Sequence, residues 1–370
     1  MPEPRNPPTL GTMLLDAPLI PDSGYVRFLA HNASGLMGLH FSLHADEALD
    51  ARFKLRNVPA ESLAGLLRQV RGPRKYALLN SRLHHPDHYA EGARMKSLLA
   101  RLEALLDEGE LHGVVAADAY FLKALGRAAP GLARNLEAAP SVNAMIDSAA
   151  RLRAWLCVIE DAGFRLPRKI NLDRALNRDL QRLAKTGEQC RKLLPDAALV
   201  LLANEGCLPH CPFKPAHDAH IALANMGAVP ERTFELNNTL GCIDFLAGAP
   251  HLCLSSPIIR PEDAPRYRGI ADGLKVCGRT LAGPGRLQRI VSAYLHGRFE
   301  GNLLELCDSL DWLAERFDLR NELLPQDYFE QVCNCSGDCS ACGFCRRAFE
   351  AAAKPREALV RVFHPEGAAQ

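Results

Sequence analysis

The sequence has almost no excess charge of either sign: Lys+Arg 44 against Asp+Glu 43 in 370 residues. That balance excludes a broad polyanion-binding surface, which needs a basic excess, but leaves room for a local basic patch. No apolar run approaches the roughly 18 residues of a membrane span. No G-x-G-x-x-G follows an apolar run, so a Rossmann dinucleotide site has no support. Neither G-x-S-x-G nor H-E-x-x-H occurs. At the N-terminus, MPEPRNPPTLGTMLLDAPLI breaks every apolar run with Pro, Asn or Asp. A signal peptide's h-region is therefore lacking, and the expected compartment is the cytosol. With 48% hydrophobic and 24% charged residues, the chain has the proportions of a globular protein.

The sequence is rich in cysteine, with 13 residues. In a reducing compartment, clustered Cys bind metal or do redox chemistry more often than they form disulfides. Cys157, Cys190, Cys253 and Cys307 stand apart from the clusters and read as packing residues.

Short apolar runs alternate with helical periodicity. Strand-like runs are Tyr25–Ala30, Arg52–Val58, Tyr76–Asn80, Gly113–Ala116, Leu199–Ala203, His251–Leu254 and Gly273–Val276. Glu61–Val70, Tyr89–Glu108, Ser148–Ala162 and Leu287–His296 carry apolar residues at 3 and 4 spacing. Strand–helix alternation predicts an α/β fold, an irregular TIM-like (β/α) barrel over residues 25–300. Residues 1–24 read as an irregular arm. Residues 301–370 read as a Cys-rich C-terminal extension, opened by an amphipathic helix at Asn302–Arg316.

Two cysteine constellations stand out. Cys333, Cys335, Cys339, Cys342 and Cys345 are spaced C-x-C-x3-C-x2-C-x2-C. The last three match the core of a bacterial ferredoxin run without its following x3-Cys-Pro, and zinc also accepts such thiolates. The second set follows the run Leu199–Ala203, where an α/β barrel places its active site. It begins with Cys207 and Cys211, and Cys242 and Cys277 complete a four-thiol set if the barrel brings them together. Lys214 stands where a radical-SAM motif would have its third Cys. His210, His217 and His220 add groups able to ligate metal, or polar loop residues. His84, His85 and His88 read as a solvated loop rather than a zinc site, since no Cys or close acidic partner completes a ligand set. Arg260, Lys275 and Arg279 would make the mouth locally basic, suiting a small anionic substrate.

The strand leading into NEGC and CPF, with the downstream LSSPIIRPEDAPRYRGIADGLKVCGRT, resembles the collagenase-like peptidase U-32 family. Lys275, Gly278 and Arg279 match that family's K-I-E-G-R strand end, with Cys277 in place of Glu. SVNAMIDS (Ser141–Ser148) is similar to its mid-barrel strand. The resemblance implies a (β/α) barrel with a 4Fe–4S cluster on Cys207, Cys211, Cys242 and Cys277. The Cys-rich tail would then hold a second cluster, or zinc. It implies oxygen-independent hydroxylation of a small molecule or an RNA base, with a prephenate-like oxygen donor. Lys275, Arg279 and His217 are the catalytic candidates. A homologous partner subunit and an electron-transfer partner are implied as well. Two readings from other classes stand beside this one: a peptidase-like hydrolase, and a metal-stabilised accessory subunit.

Overall fold

The computed structural model describes residues 13–44, 48–52, 57–90, 92–229, 234–278 and 283–356. Its frame is eight parallel strands, each followed by helix. The first half runs β1 (Leu14–Leu19), α1 (Ser23–His31), β2 (Leu36–Phe41), α2 (Ala60–Gln69), β3 (Arg74–Leu79), α3 (Ala93–Asp107) and β4 (Gly113–Ala116). It continues through α4 (Ala119–Ala128), the single turn α5 (Pro130–Ala133), β5 (Glu137–Pro140) and α6 (Ala149–Asp161). The second half runs β6 (Lys169–Asn171), α7 (Leu180–Leu193), β7 (Ala198–Leu202), α8 (Lys214–Asn225), α9 (Phe234–Thr239), α10 (Cys242–Gly248), β8 (Gly273–Lys275) and α11 (Pro284–His296). The strand order β5-β4-β3-β2-β1-β8-β7-β6 is that of a TIM-like barrel. Its seam is nearly closed by parallel bridges flanking β5 and β6, Glu137–Arg165 and Ile146–Leu172.

Side-chain alternation along the strands divides the core in two. Residues such as Leu39, Phe41, Leu199 and Leu201 face outward and join the helices in the main core. The alternate residues fill the barrel: Tyr76, Leu78, Val115 and Ala139 form one cluster, and Val142, Leu202 and Cys277 another.

After α11 come α12 (Leu303–Leu306), α13 (Asp311–Ala314), β9 (Phe317–Leu319), α14 (Tyr328–Cys333), α15 (Cys339–Cys342), α16 (Phe344–Ala352) and β10 (Ala353–Pro355). This extension is bound to the barrel rather than appended to it. The Asp308 amide donates to Asn204 O at 2.7 Å, and the Gly206 amide to Asp308 O at 2.9 Å.

The structure departs from several expectations. The 1–24 arm contains β1, so the barrel begins before residue 25. LLDAPL escaped notice because Asp16 and Pro18 interrupt its apolar pattern. Tyr25–Ala30 is helical: Asp22 caps it through the Tyr25 amide at 2.7 Å, and Tyr25, Val26 and Leu29 share its buried face. His251–Leu254 lies in a 3-10 turn, Pro250–Ser255. Asn302–Arg316 is two single-turn helices rather than one long one. Of Arg52–Val58, residues 53–56 lie outside the described residues, and Val58 is not in a strand.

Candidate functional site at the barrel mouth

The C-terminal strand ends carry a buried polar layer. Asn204, just past β7, donates its amide to Cys277 O at 3.0 Å and Leu306 O at 3.1 Å, and accepts the Cys277 amide at 2.7 Å. One side chain thus joins β7, the end of β8 and the extension. Glu205 next to it pairs with Arg174, and with Arg52 at 3.9 Å, while Arg52 also pairs with Asp308. Burial opposes ionisation of Glu205, yet Arg174, Lys214 and Arg52 outweigh it and hold its carboxyl down at about 2. These charges escaped sequence reading, because their partners lie far apart in the chain.

Against this layer lies a pocket of ≈ 240 Å³, lined among others by Arg151, Arg174, Arg182, Lys214, His210 and Cys211. Four cations there face the two lining carboxylates Asp147 and Asp173. Each cation is already paired, Arg174 with Glu205, Lys214 with Asp218, and Arg151 and Arg182 with Asp147, and none is a residue expected to make the mouth basic. Arg260 is buried against Asp263 at 2.7 and 2.8 Å and lies 4.7 Å from the Tyr328 ring centre. Lys275 is buried inside the barrel, 3.4 Å from Asp16. Arg279 lies outside the described residues. His217, on α8, stands 3.3 Å from Asn237 Nδ2, with its pKa lowered by burial and then by Lys214.

The expected barrel thiols divide. Cys207 and Cys211 flank His210, whose φ of 48° holds the loop in the left-handed region. Burial pushes the Cys207 thiol up to about 12, with Glu205 adding to the rise. Cys211 acts electrostatically on both Cys207 and Cys242, so these three neighbour one another in a chain. Cys277 instead turns into the barrel, packed with Val142 and Leu202. Burial and then Asp308 push its thiol up to about 11.

In the extension, Asp338 caps α15 through the Ala341 amide at 3.2 Å, and Gly343 at φ 61° turns the chain into α16. This tight turn gathers four thiols. Burial raises the Cys345 thiol to about 11, with Cys339, Cys335 and Cys342 each adding to the rise. Cys339 is raised by burial and then by Cys335 and Cys342. The Gly337 amide donates to Cys335 Sγ at 3.3 Å. Cys333 stands apart, half-buried, with Arg178, Asp263 and Tyr267 acting on its thiol. Of the thiols read as packing, Cys190, Cys253 and Cys307 are buried, but Cys157 is exposed on α6. His84 and His88 do not form a solvated loop: both are buried, and His84 stacks on Phe121 at 3.8 Å.

Among the described residues, no three His, Cys, Asp or Glu side chains stand in a geometry that holds a metal ion. In donor chemistry the two sets differ. Cys335, Cys339, Cys342 and Cys345 supply four neighbouring thiols on one turn, which suits zinc or an iron–sulfur cluster. In the barrel set Cys207, Cys211 and Cys242 neighbour one another, while Cys277 packs with Val142 and Leu202.

A barrel strung from eight parallel strands, with thiols on its C-terminal face, defines the class. No protein-family model matches the chain. Over 185 residues it is 33% identical to the "Uncharacterized protease MJ1657" of Methanocaldococcus jannaschii, an alignment covering 50% of this chain and 53% of that protein. The chain thus spans about half the length of that relative. Among solved structures, the U32 peptidase Mk0906 is similar at TM-score 0.42 and 17% identity, covering 61% of this chain and 82% of its own. A Rhizobium etli pyruvate carboxylase is similar at TM-score 0.31 and 13% identity, covering 77% of this chain and 28% of its own. The chain is an eight-stranded (β/α) barrel protein, and a U32 peptidase and a protease stand among the proteins it is similar to, as its sequence resemblance implied. Among the described residues, no helix is long and apolar enough to cross a membrane.

Proposed function

We propose that the protein is a redox modifying enzyme of the cytoplasm. Its C-terminal turn holds an iron–sulfur cluster on Cys335, Cys339, Cys342 and Cys345, and its mouth pocket takes a small anionic substrate or oxygen donor for oxygen-independent hydroxylation. The observation that carries this reading is the gathering of those four thiols at one turn, close enough that burial and then repulsion from the neighbouring thiols raise Cys339 and Cys345. Such thiols lose their protons to a bound metal. When bound, the cluster supplies one-electron chemistry. The chain's own residues do the rest. Arg151 and Arg182, half-exposed in their ties to Asp147, attract and orient a carboxylate, with Arg174 and Lys214 behind them on Glu205 and Asp218. Asn204 fixes the strand ends around it. The exposure of Cys335, Cys339 and Cys342 suits an electron-transfer partner, which a homologous subunit could provide.

The test is iron, sulfide and zinc per chain after anaerobic purification, in the wild type and in Cys339→Ala and Cys207→Ala. Iron with sulfide, abolished in Cys339→Ala, supports the reading. Zinc alone supports a metal-stabilised accessory module, and a protein without iron ends the redox proposal.

A hydrolase is the second reading, favoured by the word protease in the relative's name. Against a cysteine nucleophile stands Cys207 itself, whose thiol at about 12 stays protonated at neutral pH. Cleavage of casein or of a peptide library, lost on alkylation, would establish it.

A further inference from the structure

A second cavity, of ≈ 960 Å³, opens on the same barrel face between the β3–α3 loop and α4. Loops after strands β3 and β4 are where a (β/α) barrel presents ligand-binding groups. Small side chains, Ala117, Ala124 and Ala128, leave it open. Two tyrosines supply ring faces. Tyr120 is 82% exposed, a large aromatic held in water by the first turn of α4. Tyr89 is held rigidly: its hydroxyl donates to Asp118 at 2.5 Å and accepts the His84 amide at 3.0 Å, and its ring meets Phe121 edge-on.

The charge of the wall is lopsided. Asp118 is the lining carboxylate, and it is already occupied: it caps α4 through the Tyr120 and Phe121 amides at 2.9 and 3.1 Å and accepts Tyr89. Facing it are Arg82, Lys123 and Arg127. The tie from Lys123 to Asp161, at 2.5 Å, is solvent-exposed and exchanges readily with water or a competing anion. Arg82 reaches Asp218 with one nitrogen at 3.4 Å, while its Nε is buried without an acceptor. The Arg82 side chain is 25% exposed and lines the cavity, so the rest of its guanidinium presents donors to an anion there.

We propose that this cavity binds a mononucleotide-class ligand, a planar ring joined to a phosphate. The ring stacks on Tyr120, beside Tyr89. The phosphate is held by Arg127 and Lys123, with Arg82 as the inner donor. The site uses none of the thiols, so it stands or falls independently of the metal reading.

Isothermal titration calorimetry on the purified full chain, at low salt, tests it with AMP, adenosine and inorganic phosphate. AMP is expected to bind saturably at one site, at least tenfold tighter than either fragment. Tyr120→Ala should weaken AMP about tenfold and leave phosphate binding unchanged. Arg127→Gln should weaken both. Both residues are exposed, so their replacement leaves the core intact; Arg82→Gln, closer to the core, is checked first for an unchanged melting temperature. No saturable AMP binding, or AMP binding that survives both Tyr120→Ala and Arg127→Gln, overturns the proposal. So does binding of single-stranded RNA without binding of AMP.

Discussion

Asp16→Asn probes the barrel interior directly. Asp16 is fully buried and holds three groups from other strands: Lys169 at 2.6 Å, His40 at 3.2 Å and Lys275 at 3.4 Å. Burial alone would protonate it, but Lys169, Lys275 and His40 together keep its pKa well below the ordinary value. Burial also lowers Lys169 to about 8, opposed chiefly by Asp16. Removing the anion leaves two buried ammonium groups, with the Tyr76 ring 4.0 Å from Lys169 Nζ and the weaker pull of Glu137 as compensation for Lys169. Breaking such a buried pair costs about 3–5 kcal/mol. With an unfolding entropy of roughly 2.1 cal/mol/K per residue, that lowers Tm by about 5 °C in a chain of this size. The sign of the pH dependence is fixed as well. Without Asp16 the folded pKa of Lys169 falls further, while the unfolded value stays near 10.5. The unfolded state then binds more protons above neutral pH, and the variant regains stability as pH rises, by at most about 1.4 kcal/mol per unit through Lys169. Urea unfolding at pH 7 and 9.5 reads this, alone and in Asp16→Asn/Lys169→Met. A loss below about 1 kcal/mol, an equal loss at both pH values, or no recovery in the double variant refutes the account.

Three further outcomes follow from other buried contacts. His40 and His84 are each lowered to about 3, first by burial; a depressed folded pKa means stability held above about 6.5 and lost as pH falls towards 3, at up to about 1.4 kcal/mol per unit each, so His84→Gln should flatten the acid limb of a melting-temperature profile. Gly126→Ala places a Cβ 1.9 Å from Ala162 O, a backbone atom that cannot yield, and should cost about 1–3 kcal/mol in chemical unfolding by prying α4 from the end of α6. Asn204→Ala strands the Cys277 amide and two carbonyls and should cost about 2–4 kcal/mol, with faster amide exchange at Cys277 as the readout that separates this clamp from general damage.

What the sequence made legible was local. The runs at β3, β4, β7 and β8 and the helices α2, α3, α6 and α11 announced themselves, because their apolar periods match the faces they bury. β6 did not, since three residues, Lys169–Asn171, are too few for a pattern. β1 did not, since its interior position is filled by a charge. Asp16 and Lys275 lie 259 residues apart in the chain yet share a hydrogen bond. Neither residue shows, read alone, that the other neutralises it. For the same reason Lys275 read as a mouth cation, when the barrel had enclosed it.

The cysteines make the same point in the opposite direction. Spacing grouped five thiols in the extension, but the direction each chain segment takes selects four. Cys333 ends α14, which packs its buried face on the barrel and leaves that thiol among Arg178, Asp263 and Tyr267. Cys335 to Cys345 lie beyond that helix, on the turn into α16. Cys253 and Cys307 pack as expected, and burial, then Cys307 and Cys345, raise the Cys253 thiol. Metal analysis distinguishes these roles: Cys333→Ala should retain the metal that Cys335→Ala, Cys339→Ala and Cys342→Ala each lose. Equal loss in Cys333→Ala would mean that the turn closes around all five thiols, and that the helix end at Cys333 unwinds to let it.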